Sequence, residues 1–220
     1  PVEFSQEFSK DMLTLYLLSS FHIWQDGDFD REQAILTYNA KLANNLWNLV
    51  NRVVVLSLKL DHPLGTGIDD FLALSWDQYP QKMQELFPES YQVITETYSG
   101  FEKIEQSMQN YEIKNTLDTI FSLLSDLNKF ADSETPWSLI KTDPEKAEII
   151  LYVIARRLVL IGVALYPFFP QKMDEMFTKF GLEKYGELLE SGWAEDIKNT
   201  PPKFNITEKW SPLFQRIEVK

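Results

Sequence analysis

Cysteine is absent from all 220 residues, which removes disulfides, thiolate metal sites and a cysteine nucleophile. That absence fits a reducing compartment without requiring one. Histidine is nearly absent: His22 and His62 stand far apart, both in segments that read as loops. The eight glycines are scattered, and no phosphate-cradling loop can be assembled from them. The acidic groups Asp26–Asp28–Asp30 and Asp69–Asp70 lack the twelve-residue spacing and closing glutamate of a calcium loop. They read as helix caps and solvated loops, and no metal site is expected. Long apolar runs are missing too. The stretch from Ile149 is interrupted by Arg156 and Arg157, too broken for a membrane span. No secretory leader is visible, and a start at Pro1 rather than Met suggests a piece of a longer chain.

Positive charge is in short supply: 21 Lys and Arg face 33 Asp and Glu, for a net −12. Such a balance argues against a protein that coats nucleic acid with a broad basic face. One segment departs from it. Between Arg31 and His62 the cations Arg31, Lys41, Arg52 and Lys59 outnumber Glu32 and Asp61.

What is present is helical periodicity. Apolar residues Phe8, Met12, Leu15 and Leu18 mark a helix within Phe4–Phe21. A polar connection follows, and Asp28 or Asp30 can cap the next helix by accepting its free first-turn amides. From Arg31 to Leu60, Ala34, Ile35, Tyr38, Leu42, Leu46, Leu49 and Val53 define one buried face. His62, Pro63, Gly65 and Gly67 then form a loop. Asp69–Phe87 reads as one short helix or two pieces around Pro80. Glu89–Asn110 and Glu112–Ala131 are helical, with a break at Asp132–Trp137. Asp143 before Pro144 is a capping carboxylate followed by a proline at the first helical position, and that helix extends through Leu165. A short helix, Gln171–Phe180, is closed by Gly181. Strand patterns are almost absent. The expected fold is all-α, an antiparallel helix bundle. Residues 1–30 read as a connector, 31–200 as the bundle, and 201–220, with Pro201 and Pro202, as a tail packing back on it.

Two features could carry chemistry. Lys41, Asn45, Asn48 and Arg52 share the second face of the long helix, with Asn44 and Asn51 beside them. Asparagine is a mediocre mid-helix residue, whereas amides and a guanidinium supply the donors and acceptors that read base edges. The same stripe also fits a solvated face or a hydrogen-bonded bundle interior, with Arg52 paired to a carboxylate. Trp137 follows Pro136 at an element end, where an exposed ring can stack on an unpaired base. Burial as a packing residue remains the alternative.

The run Gln25-Asp26-Gly27-Asp28-Phe29, then Tyr38-Asn39-Ala40, Leu42-Ala43-Asn44-Asn45-Leu46 and Asn48-Leu49-Val50-Asn51-Arg52 resembles the region that follows the catalytic loop of bacterial-type methionyl-tRNA synthetases. Pro136-Trp137 through Lys141, Pro167-Phe168-Phe169-Pro170 and Pro212 through Glu218 resemble later segments of that family, in the same order. The resemblance implies an anticodon-binding bundle for the CAU-bearing stem-loop of tRNA-Met. It assigns the first anticodon base to Asn48 and Arg52 and stacking to Trp137. It further implies a cytoplasmic ligase in translation whose ATP and methionine bind a catalytic domain outside this chain, with no cofactor here. That domain and the tRNA are the expected partners, and no membrane is. This chain alone is not expected to activate methionine. Trp47, where many family members carry glycine, and Gln215, where proline is common, depart from the pattern. The anticodon domain of a related synthetase (for isoleucine, valine, leucine or cysteine) and a helical protein scaffold are the competing readings.

Overall fold

The computed structural model describes residues 9–21, 28–74, 78–182 and 203–218. Phe4, Phe8, His22, Gln25–Gly27, Pro201 and Pro202, each invoked above, lie outside the described residues. Helix α1 (Lys10–Ser20) begins at Ser9, whose hydroxyl accepts from the Met12 amide at 3.2 Å. Of the two candidate caps for the next helix, Asp30 is the one used. Its carboxylate accepts from Gln33 at 3.0 Å at the start of α2 (Arg31–Tyr38). The Asp30 amide donates to the Tyr16 hydroxyl, which ties α1 to α2.

The expected long helix is continuous but not uniform. After α2 the backbone is π-wound over Asn39–Trp47, and α3 (Asn48–Ser57) completes it, with turns over residues 58–60. Every residue of the expected buried face is at most 4% exposed. Trp47 is half-buried and packs against the same core. Asn39 lies on the buried side as well. Its amide group donates to the Ile217 carbonyl at 2.8 Å and accepts from the Ile217 amide at 2.9 Å. This two-way clasp satisfies both backbone groups of a tail residue. Asn39→Ala should therefore cost about 1–3 kcal/mol of stability, the cost of orphaning such groups. Hydrogen exchange at the Ile217 amide should rise in parallel; an unchanged rate would show that the clasp does not hold the tail.

Asp69–Phe87 resolves into two pieces, α4 (Asp69–Leu72) and α5 (Gln78–Leu86). Pro80 is not the break between them. It sits in the first turn of α5, where a missing amide hydrogen costs no helical bond. Helices α6 (Tyr91–Gln109) and α7 (Ile113–Glu134) form an antiparallel hairpin. Tyr111, at φ 60°, occupies the left-handed position of the α6 C-cap, and Glu112 donates back to Ser107 at 2.8 Å. Helix α7 continues past Ala131 to Glu134, so the expected break contracts to Thr135. Then follow α8 (Pro136–Leu139), α9 (Pro144–Leu165) and α10 (Pro170–Lys179). Asp143 caps α9 by accepting from Lys146 at 3.1 Å, with Pro144 first in the helix. Gly181 closes α10 at φ 79°.

Helix α9 packs against α3, α7, α8 and α10. That central position explains its nearly all-round apolar sequence. The tail lies on the same core: Phe204, Leu213 and Phe214 are buried, and the Phe204 amide donates to Leu64 at 3.0 Å. Among the described residues there is no strand, only that isolated bridge. The all-α antiparallel bundle holds.

Candidate nucleic-acid interface

The polar stripe on the long helix divides into two halves with different fates. Its first half is engaged by other residues of the protein. Lys41 donates to Asp118 of α7 at 3.1 Å, and Lys114 binds the other oxygen of that carboxylate at 2.7 Å. Burial pushes the Asp118 carboxyl up, but hydrogen bonds from Lys114 and Lys41 outweigh it and hold it below the ordinary carboxylate range. Asn45 donates to Ser125 at 3.0 Å and accepts from Asn128 at 2.6 Å. For Asn45 the hydrogen-bonded bundle-interior reading holds, whereas Lys41 is held in a partly exposed ion pair.

The second half is open. Asn48 is exposed, and its amide has no hydrogen-bond partner among the described residues. One turn further along the same face, Arg52 donates through Nη1 to Asp132 at 2.6 Å. Its guanidinium carbon lies 5.4 Å from the centre of the Trp137 ring. Trp137 is 41% exposed, so it is neither a core residue nor fully free. The structure thus brings all three expected site residues to one place: Asn48 and Arg52 from α3, and Trp137 from α8.

Local strain and buried anchors position the ring. Thr135 adopts φ 45° and ψ 55°, a conformation that a β-branched residue rarely takes. The turn is held from both sides. The buried Ser90 hydroxyl donates to Glu134 at 2.6 Å and lies 3.0 Å from Ser133, while Pro136 is buried at the start of α8. The chain therefore reverses sharply over Thr135 and lays Trp137 beside Arg52.

Asp132 is the member that sequence reasoning missed. It stands in the segment read as a break, and no local signal says that a carboxylate there reaches Arg52 across the bundle. Both side chains are partly solvent-exposed, at 36% and 59%. The ion pair is accordingly worth about 0–1 kcal/mol, and its main effect is to orient the guanidinium. The remaining N–H groups of Arg52 have no protein partner among the described residues. A π-face, an unpartnered amide and an oriented guanidinium are what an extruded base requires. Among the described residues no cluster of three or more metal-ligating side chains exists. No helix there is long and apolar enough to cross a membrane.

A family model described as the anticodon binding domain of methionyl tRNA ligase matches residues 81–216. The chain belongs to this family. A second model, tRNA synthetases class I (M), matches residues 1–54 of this methionyl-tRNA ligase anticodon-binding chain. The methionine–tRNA ligase of Rickettsia felis is 30% identical over 86% of this chain and 35% of its own length. That of Bacillus subtilis is 30% identical over 100% of this chain and 31% of its own. The chain thus spans about a third of the length of these curated relatives (35% and 31%). The apo methionyl-tRNA synthetase of Mycobacterium tuberculosis superposes with a TM-score of 0.79 at 17% identity, over 100% of this chain and 41% of that one. It shares the fold.

Proposed function

We propose that Asn48, Arg52 and Trp137 form the pocket for the first base of the CAU anticodon of tRNA-Met. The observation that carries this reading is the approach of the Arg52 guanidinium to the half-exposed Trp137 ring, at 5.4 Å, one turn from the unpartnered Asn48 amide. Cytosine stacked on Trp137 would offer its N4 amino group to the Asn48 carbonyl and its N3 and O2 acceptors to Arg52. Uracil reverses the pattern at two of these positions. In this reading the chain serves a cytoplasmic methionine–tRNA ligase, and ATP and methionine bind in the rest of that longer protein. Residues 1–30 connect to it, 31–200 form the reading bundle, and 201–220 close it.

The test is a panel of anticodon stem-loops that differ only in the first base, titrated against this chain. Loops with uracil, adenine or guanine there should bind about 1–3 kcal/mol more weakly than CAU, the size of a paired base contact. Equal affinities across the panel would overturn the assignment. Tighter binding of an isoleucine, valine, leucine or cysteine loop would transfer the site to a neighbouring specificity.

A further inference from the structure

Two side-chain rungs join the long helix to α7, and Asn48 stands between them. One is the Arg52–Asp132 pair at 2.6 Å, which is exposed and therefore weak. The other lies one turn earlier on α7. There Asn128 donates to Asn45 Oδ1 at 2.6 Å and, less closely, to the Asn45 main-chain carbonyl at 3.3 Å. The long helix carries Asn48 and Arg52, while α7 leads through Thr135 to Trp137. The rungs thus set the distance between the two beams that bear the pocket.

The Asn128 rung is built to hold one geometry. Asn128 also donates to the Leu124 carbonyl, one turn back on its own helix, at 3.1 Å, which fixes its rotamer. Asn45 is held at both ends: its oxygen by Asn128, and its amino group by Ser125 at 3.0 Å. Ser125 is in turn anchored to the Phe121 carbonyl at 2.9 Å. All three side chains are half-buried, where a connected and satisfied polar network specifies a single arrangement. The backbone it holds needs such a restraint. Asn45 lies in the last turn of the π-wound stretch Asn39–Trp47, directly before α winding resumes at Asn48. A π ring encloses one residue more than an α ring, and π turns inside helices recur at functional sites. Exchanging one residue between the two windings turns everything beyond it by about 100°, the angle between successive α-helical residues. Where the π winding stops therefore decides where Asn48 and Arg52 point, and Asn128 grips the main chain at that place.

We propose that Asn128 is a positioning residue for base reading: through Asn45 it fixes the junction from which Asn48 and Arg52 project, and so the width of the pocket facing Trp137. The inference rests on the proposed function, which makes those three residues the reader of the first base. Asn128 itself touches no base. Its loss loosens the pocket rather than removing a contact. Discrimination between bases depends on donors held within about 0.5 Å of their working positions, so it suffers before overall affinity does.

The experiment titrates wild type and Asn128→Ala against stem-loops bearing CAU or UAU, at temperatures where thermal melts show each variant folded. In Asn128→Ala the preference for CAU over UAU should fall about two- to tenfold, the worth of one ordinary hydrogen bond passed on to the pocket. Most of that change should come from CAU. In a double-mutant cycle with Asn48→Ala the two losses on CAU should be less than additive, because Asn128 acts through the residue already removed. Asn45→Ala cuts the same rung from the other helix; it should give the same pattern, and it decides the matter should Asn128→Ala not fold. Equal weakening of both loops, or full additivity with Asn48→Ala, would mean a rung that only stabilises the bundle, and would overturn the proposal. A CAU preference intact in wild type and unchanged in both variants would overturn it too, while leaving the proposed function standing. Absence of that preference in wild type would remove both readings.

Discussion

Replacing Trp137 with alanine should weaken binding of the CAU stem-loop by about 1–3 kcal/mol, the value of one base–aromatic stack. Folding should barely change. A core tryptophan costs about 3–5 kcal/mol on truncation because it leaves a cavity. Trp137 is 41% exposed, and its ring faces the Arg52 guanidinium. An exposed cation–π contact contributes about 0.5–1 kcal/mol, which bounds most of the expected loss of stability. Trp137→Phe should fall between wild type and alanine in affinity, since a smaller ring still presents a π-face. Thermal melts and titrations on the same two variants separate the cases. A large drop in melting temperature with unaltered affinity, measured where the variant is folded, would mean that Trp137 is a packing residue.

Arg52→Ala should cost about 1–3 kcal/mol on CAU and less on loops with another first base, which never made the full contact. Part of that loss would not belong to the base contact at all. Removing Arg52 exposes the Asp132 carboxylate, 2.6 Å away in the intact protein, to an approaching polyanion. Asp132→Asn in the Arg52→Ala background should recover this repulsive part on every loop, while the first-base preference stays lost. The double-mutant cycle separates the two contributions. Arg52→Lys should not rescue discrimination, because an ammonium is a point charge without the planar fork that engages two acceptors. Equal losses on all loops for Arg52→Ala, with full rescue by Asp132→Asn, would reduce Arg52 to a charge-neutralising residue.

The fold was largely legible because most of it is governed by local periodicity and caps. The buried face from Ala34 to Val53, the Asp143–Pro144 start and the Gly181 stop depend on residues within a turn or two of one another, and all three are where the pattern puts them. The errors have a common physical origin. Apolar spacing cannot distinguish α from π winding, so the sequence pattern from Asn39 to Trp47 fits an ordinary helix equally well. Polar letters at 132–134 look like a loop, but Ser133 and Glu134 are helical, and both meet Ser90, the residue that precedes α6. Asn39 clasps a residue 178 positions away, a contact that no local window contains. Within the site, residue type and position mark Asn48, Arg52 and Trp137 as candidates, and the family resemblance decides for base reading over packing. Periodicity alone could place the first two on one face, but could not bring Trp137 to them.

The ion pairs described above bear on how an RNA loop would compete with dissolved salt. Lys41 and Lys114 share Asp118, and Arg52 holds Asp132. Cations already neutralised within the protein displace few condensed counterions when a phosphate backbone arrives, and counterion release is what gives most RNA and DNA binders their steep ionic-strength dependence. Docking on this face would draw little on that entropy. Selectivity would then be set by stacking and base-edge hydrogen bonds, which survive ionic strengths that strip a basic groove bare.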